Sequence, residues 1–227
     1  MNKKITINGT DIYVGSFQAL DARMYIILQE EQALIVDPCL DWEALELLKG
    51  VTQVTILLTH EHYDHISGVR WLQQHYDCRV ICTELCGEQI QSPEKNAAKY
   101  FQIMLEGKSG DRAGQELAQW DSEYACTADV VFRTEYDFCW KQHRICLKEA
   151  PGHSPGGMLI YLDEAMVFTG DNLVNGNKVI TRGLGGNRTQ YMQITYPLLK
   201  KLKSDMWILP GHGDVGQFSE LSRYMIE

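Results

Sequence analysis

The run His60-Glu61-His62-Tyr63-Asp64-His65 follows directly on the apolar stretch Val54–Thr59. Imidazole and carboxylate are the ligands that borderline divalent ions prefer. In an extended turn, residues two apart point the same way, so His60 and His62 can converge on one ion. Asp64 and His65, at the entrance of a helix, can turn towards a second. A lone histidine is more commonly a core or surface residue. Three histidines and an aspartate this close together, straight after a buried strand, point to a metal site.

Three later segments repeat that context. Ala150-Pro151-Gly152-His153-Ser154-Pro155-Gly156-Gly157 follows a strand expected over Arg144–Lys148, Phe168-Thr169-Gly170-Asp171 ends one over Met166–Thr169, and Leu209-Pro210-Gly211-His212-Gly213 ends one over Met206–Leu209. Each sets one ligand-type side chain just past a strand, beside glycines that let backbone approach closely. Ligands arriving from separate strand ends are how a rigid sheet holds a site to tolerance. His75 and His143 lie outside any such context and read as surface residues.

The elements that must position these side chains follow from periodicity. The first sixty residues read as strands at Ile5–Ile7, Ile12–Val14, Met24–Leu28, Ala33–Val36 and Val54–Thr59, with a short helix over Asp41–Lys49. Ile66, Val69, Leu72 and Tyr76 recur at helical spacing after the histidine-rich turn. Ser92-Pro93-Glu94 reads as a helix start, Ser at the cap and Pro at the first helical position, with Ala97, Tyr100, Phe101, Met104 and Leu105 as its apolar stripe and Gly107 as its stop. A weaker helix is expected to end near Trp120. Residues 87–128 therefore read as a helical insert, either packed on the surface or forming a lid over the site. Strands resume at Val130–Phe132 and Met158–Leu162, and one helix covers Gln190–Leu202. The two halves resemble each other coarsely, and two stacked sheets with helices outside would bury such strands on both faces.

The series HxHxDH, PGHSPGG, TGD and PGHG resembles the metallo-β-lactamase superfamily in its glyoxalase II-like branch, in the right order and over almost the whole chain. The resemblance implies an α+β fold, a four-layer αββα sandwich formed as one domain over residues 1–227, with the site at the upper edge of two sheets. It implies two divalent metal ions per chain, zinc first and iron or manganese as alternatives. His60, His62 and His153 would hold one ion, Asp64, His65 and His212 the other, and Asp171 would bridge them. Asp37 matches a position that supports the ligands from behind; as a turn residue before Pro38 it has an equally good structural reading.

Two such ions would supply Lewis acidity and a hydroxide nucleophile for attack on a carbonyl or phosphoryl centre. The expectation is a hydrolase acting on a small-molecule thioester, ester or lactone, with Asp64 and Asp171 as its catalytic carboxylates. True β-lactamases of the superfamily carry Cys or Ser where this chain has Asp171. Acyl-homoserine lactonases carry Tyr where it has Val174. The chain ends fifteen residues past His212, without the C-terminal helical region that binds glutathione in longer glyoxalase II enzymes. Alternatives are a non-haem iron oxidoreductase of the same fold and a phosphodiesterase. A binding protein that kept the fold would be expected to have lost ligands. Arg182, Asn187 and Arg188, in the loop after Asp171, suit an anionic substrate group, but a surface loop held by its own polar contacts is the favoured reading.

Composition bounds the rest. A formal charge of −9 argues against a nucleic-acid surface, and Lys200, Lys201 and Lys203 read as a solvated helix face. No apolar run is long enough for a bilayer and no leader is evident, so no membrane partner is expected and the cytoplasm is the expected location. Seven cysteines without a CxxC pair read as reduced thiols.

Overall fold

Short connections with left-handed turn residues, such as Asn8-Gly9 (φ 49° and 83°), fold the first strands into hairpins. The computed structural model describes residues 3–17, 20–105 and 120–226. Strands β1 (Lys3–Ile7), β2 (Thr10–Phe17), β3 (Ala22–Gln29) and β4 (Gln32–Val36) run antiparallel in sequence order. β5 (Gln53–Leu57), β6 (Asp77–Thr83) and β7 (Val130–Phe132) then join in parallel, completing a seven-stranded sheet ordered β1 to β7. The second sheet holds β8 (Glu135–Trp140), β9 (His143–Glu149), β10 (Met158–Leu162), β11 (Met166–Gly170), β12 (Trp207–Pro210) and β13 (Gly216–Gln217), in spatial order β13-β12-β11-β10-β9-β8. Only β11 and β12 pair in parallel there, because the helical run 188–200 lies between them.

Burial separates into layers. Ile12, Tyr25, Leu34, Leu57, Ile160, Phe168 and Leu209 fill the space between the sheets. Ile26, Ile35, Ile56, Val69, Leu72 and Phe101 lie between the first sheet and its outer helices. Leu159, Val167, Tyr191, Leu199 and Ile208 lie between the second sheet and the run 188–200. Helix, sheet, sheet, helix is the expected αββα sandwich. Among the described residues no helix is long and apolar enough to cross a membrane.

Several details differ from the sequence reading. Asp41 does cap a helix, accepting from Ala44 N at 3.1 Å, but Trp42–Leu45 passes into a 3-10 turn over Glu46–Leu48. No helix starts at Ser92. Residues 93–95 form a turn and 96–97 a bend, Ala97 takes a left-handed φ of 67°, and helix appears only over Ala98–Tyr100 and Phe101–Leu105. Asn96 outweighs the local cap signal: its buried side chain donates to Ile90 O and Tyr124 O, and its backbone carbonyl accepts from Tyr63 N at 2.8 Å. Gly107, the expected second helix and the centre of the expected lid lie outside the described residues. The described part of 98–126 packs on the outer face of the first sheet, where Phe101 meets Phe17 and Tyr63 edge to face.

The helix expected over Gln190–Leu202 spans 188–200, with its Tyr191–Thr195 turn in π geometry. Pro197 has no N–H to complete the α register there, which permits the wider turn. His143 is buried rather than exposed. Its Nδ1 bonds to Asp163 at 2.6 Å, its Nε2 meets the Gln29 amide at 2.9 Å, and its ring stacks on Trp140.

Candidate metal centre

Four strand ends converge at one edge of the sandwich. β5 leads to His60–His65, β9 leads to His153, β11 leads to Asp171, and β12 leads to His212. Within the first turn, His62 is extended (φ −65°, ψ 144°) and precedes the helix Tyr63–Ile66, so successive ligand-type residues leave a single short corner.

The side chains gather in two groups. The nitrogens of His60, His62 and His153 lie within 4.8 Å of one another, as do the ligand-type atoms of Asp64, His65 and His212. His62 Nδ1 and His153 Nε2 face each other at 3.1 Å, and His65 Nε2 and His212 Nε2 at 3.3 Å. Asp171 stands between the groups: Oδ1 is 3.5 Å from His65 Nε2, while Oδ2 is 3.5 Å from His153 Nε2 and 3.2 Å from His212 Nε2. Asp64 Oδ2 is 3.6 Å from both His65 Nε2 and His212 Nε2.

Each ring is held by its other nitrogen. His60 Nδ1 pairs with Thr59 Oγ1 at 3.0 Å, His65 Nδ1 with Asp37 at 3.2 Å, His153 Nδ1 with Ile180 O at 2.9 Å and His212 Nδ1 with Leu20 O at 2.9 Å. His62 Nε2 has a longer contact, 3.4 Å, with Leu184 O. Anchoring the far nitrogen fixes both the tautomer and the ring plane, as second partners do for metal-bound imidazoles. Two buried atoms aimed into the cluster, His60 Nε2 and Asp171 Oδ1, make no hydrogen bond. Facing imidazole nitrogens and unpaired buried atoms are costly without a cation among them. The donor set therefore fits divalent metal ions.

The same packing sets the charges. Burial, then neighbouring histidines, holds His60 well below the usual imidazole range, and burial with His153 takes His62 down to about 4. Burial also opposes charge on His65, but Asp64, Asp171 and Asp37 outweigh it and lift His65 to about 10. Burial would raise Asp171, yet His212, His65 and His153 hold its carboxyl well below the ordinary range.

The scaffold explains the geometry. Asp37, at φ 52°, accepts from Thr59 N at 2.7 Å and Thr59 Oγ1 at 2.5 Å, joining the ends of β4 and β5. Its supporting position is thus more than a turn before Pro38. β3 grips the His212 loop: Arg23 N donates to Gly211 O at 2.8 Å and Tyr25 Oη to Pro210 O at 2.7 Å. The run 188–200 holds two other loops, through Thr195 Oγ1 to Pro151 O and Tyr191 Oη to Asn172 O. Gly211 is required by close approach, since a Cβ there would overlap Asp171 Oδ1.

Sequence reasoning passed over Glu61. Its carboxylate is fully buried and turned away from the cluster, and burial raises it to about 7. Asn187 caps the helical run, accepting from Gln190 N at 3.1 Å, and both it and Arg188 are exposed. Arg182, by contrast, lines a cavity of about 550 Å³ over the cluster of histidines and aspartates, together with Lys178, Val174, Val179, Ile180 and Leu184.

A model of the metallo-beta-lactamase superfamily matches residues 19–119. The chain is 28% identical over 198 residues to a probable metallo-hydrolase, YqgX, of Bacillus subtilis (strain 168), covering 86% of each chain. It is 24% identical over 190 residues to the hydroxyacylglutathione hydrolase GloC of Haemophilus influenzae, covering 81% of each. Among solved structures, the BLEG-1 B3 metallo-beta-lactamase superposes with a TM-score of 0.72 at 24% identity, covering 97% of this chain and 95% of that one. TTHA1623 in a di-iron-bound form gives 0.68 at 23% identity, covering 93% and 98%.

Proposed function

We propose, for a chain that belongs to the metallo-β-lactamase superfamily, hydrolysis of a small-molecule thioester, ester or lactone at a centre of two divalent ions. The observation that carries this reading is the convergence of His60, His62 and His153, and of Asp64, His65 and His212, on either side of Asp171. Zinc is the first candidate metal, since mixed imidazole and carboxylate donors suit it; iron and manganese accept the same set. Such ions supply Lewis acidity and a nucleophile at neutral pH when bound.

The chain's own contribution is position and proton handling. Asp171 faces both groups and fixes their spacing. Asp64 orients the attacking water and passes its proton towards the leaving thiol or alcohol as the carbonyl C–S or C–O bond breaks. The apolar wall of Val174, Val179, Ile180 and Leu184 receives the substrate's carbon skeleton, and Arg182 with Lys178 places positive charge at the rim for an anionic group. The relative named for hydroxyacylglutathione hydrolysis favours a thioester within this class.

The test is a panel of thioesters, esters, lactones and phosphodiesters offered to zinc-, iron- and manganese-loaded protein. Turnover of an acyl substrate, lost in Asp64→Asn, is the expected result. Turnover of phosphodiesters alone, or of nothing in fully loaded protein, overturns it. A second reading, non-haem iron redox chemistry at the same residues, is favoured by the di-iron-bound structural neighbour. Dioxygen uptake by iron-loaded protein, without hydrolysis of any acyl substrate, would establish that alternative.

A further inference from the structure

Glu61 lies between two candidate ligands in sequence, yet its side chain serves a different contact. The alternation that aims His60 and His62 at the cluster aims Glu61 the opposite way, into full burial. There Oε2 accepts from Ser154 Oγ at 3.0 Å and from Gly156 N at 3.2 Å. Ser154 is itself fully buried and adjoins His153. Gly156 is pressed on the backbone of Cys86, where a Cβ would not fit, so the loop is closely packed at this point. A buried carboxylate is costly unless its oxygens are satisfied. Here the partners that satisfy it belong to the other ligand-bearing loop.

We propose that Glu61 is a positioning residue for the three-histidine site: through Ser154 and Gly156 it fastens the loop carrying His153 to the loop carrying His60 and His62. The inference rests on the reading of these histidines as metal ligands. The second group has separate supports, since His65 is held by Asp37 and His212 by Leu20 O, while β3 grips the His212 loop at Pro210 and Gly211. Loss of the Glu61 contact therefore weakens one site selectively.

The experiment titrates cobalt(II) into metal-free protein against a competing chelator, following visible absorption, with thermal melting of the metal-free chains as a control. Wild type is expected to bind two ions; fewer than two would sink the proposed function before the role of Glu61 is addressed. To assign the sites, Glu61→Ala is placed in His212→Ala and His153→Ala backgrounds. In the first, the remaining three-histidine site should weaken about 10- to 100-fold, and in the second the remaining site should change less than about threefold. Glu61→Gln, whose amide oxygen can still accept from Ser154 and Gly156, should recover most of the affinity. Should Glu61→Ala not fold, Ser154→Ala removes one of the two donors alone and is expected to weaken the same site. Equal weakening of both sites, no weakening of either, or no recovery in Glu61→Gln would overturn the proposal.

Discussion

The Asp37 carboxylate accepts from His65 Nδ1 at 3.2 Å, and the opposite nitrogen of that ring faces Asp64, Asp171 and His212. The same Asp37 oxygen accepts from Thr59 Oγ1, which is hydrogen-bonded to His60. One carboxylate therefore stands behind a ring in each group.

Asp37→Asn should consequently weaken both metal sites, in contrast to changes at Glu61. Asn tolerates the left-handed φ of 52°, but it offers one acceptor oxygen where Asp37 offers two. Metal affinity is expected to fall roughly 10- to 100-fold at each site, measured by competition titration. Asp37→Ala should also cost about 1–3 kcal/mol of metal-free stability, because the Thr59 N–H loses its buried acceptor. Unchanged affinity in Asp37→Asn would remove its supporting role.

Gly211→Ala tests the close packing of two ligand loops. The added methyl would overlap Asp171 Oδ1 and stand 2.8 Å from the Gly170 carbonyl carbon. Overpacking of this kind costs about 1–3 kcal/mol, readable by chemical denaturation of the metal-free chain. Because Asp171 must move, metal content should fall as well. A variant that keeps both stability and metal would show that the loops can part.

Tyr25 supplies a pH dependence. Its buried hydroxyl donates to Pro210 O at 2.7 Å, and burial pushes the phenol well above 10. The stabilisation is fully present below the unfolded value near ~10 and is lost as pH rises towards the folded one, by up to about 1.4 kcal/mol per pH unit. Tyr25→Phe should cost about 1 kcal/mol at neutral pH yet show a shallower loss of stability between roughly pH 10 and 11. Parallel curves for the two proteins would contradict this.

The sequence makes the chemistry more legible than its supports. His60, His62, Asp64, His65, His153, Asp171 and His212 are visible because each follows an apolar strand and sits beside turn residues, and the αββα layers follow from strands apolar on both faces. The contacts behind them are not local. Nothing near Asn96 announces that its carbonyl will hold Tyr63 N, so the Ser-Pro cap signal at 92–93 misleads. His143 is buried by partners twenty and 114 positions away, Asp163 and Gln29. β6 and β8 carry charged residues at alternate positions, Asp77 and Arg79 in one and Glu135 and Asp137 in the other, so apolar runs alone miss them. Glu61 had a readable signal: in a turn where every second residue faces the histidine cluster, the residue between faces the protein.

Metal content per chain tests the central claim most directly. After loading with zinc and removal of excess, wild type should retain two ions, His153→Ala and His212→Ala one each, and Asp171→Ala fewer than two with loss of turnover. One ion or none in wild type, or two in Asp171→Ala at full activity, would contradict it.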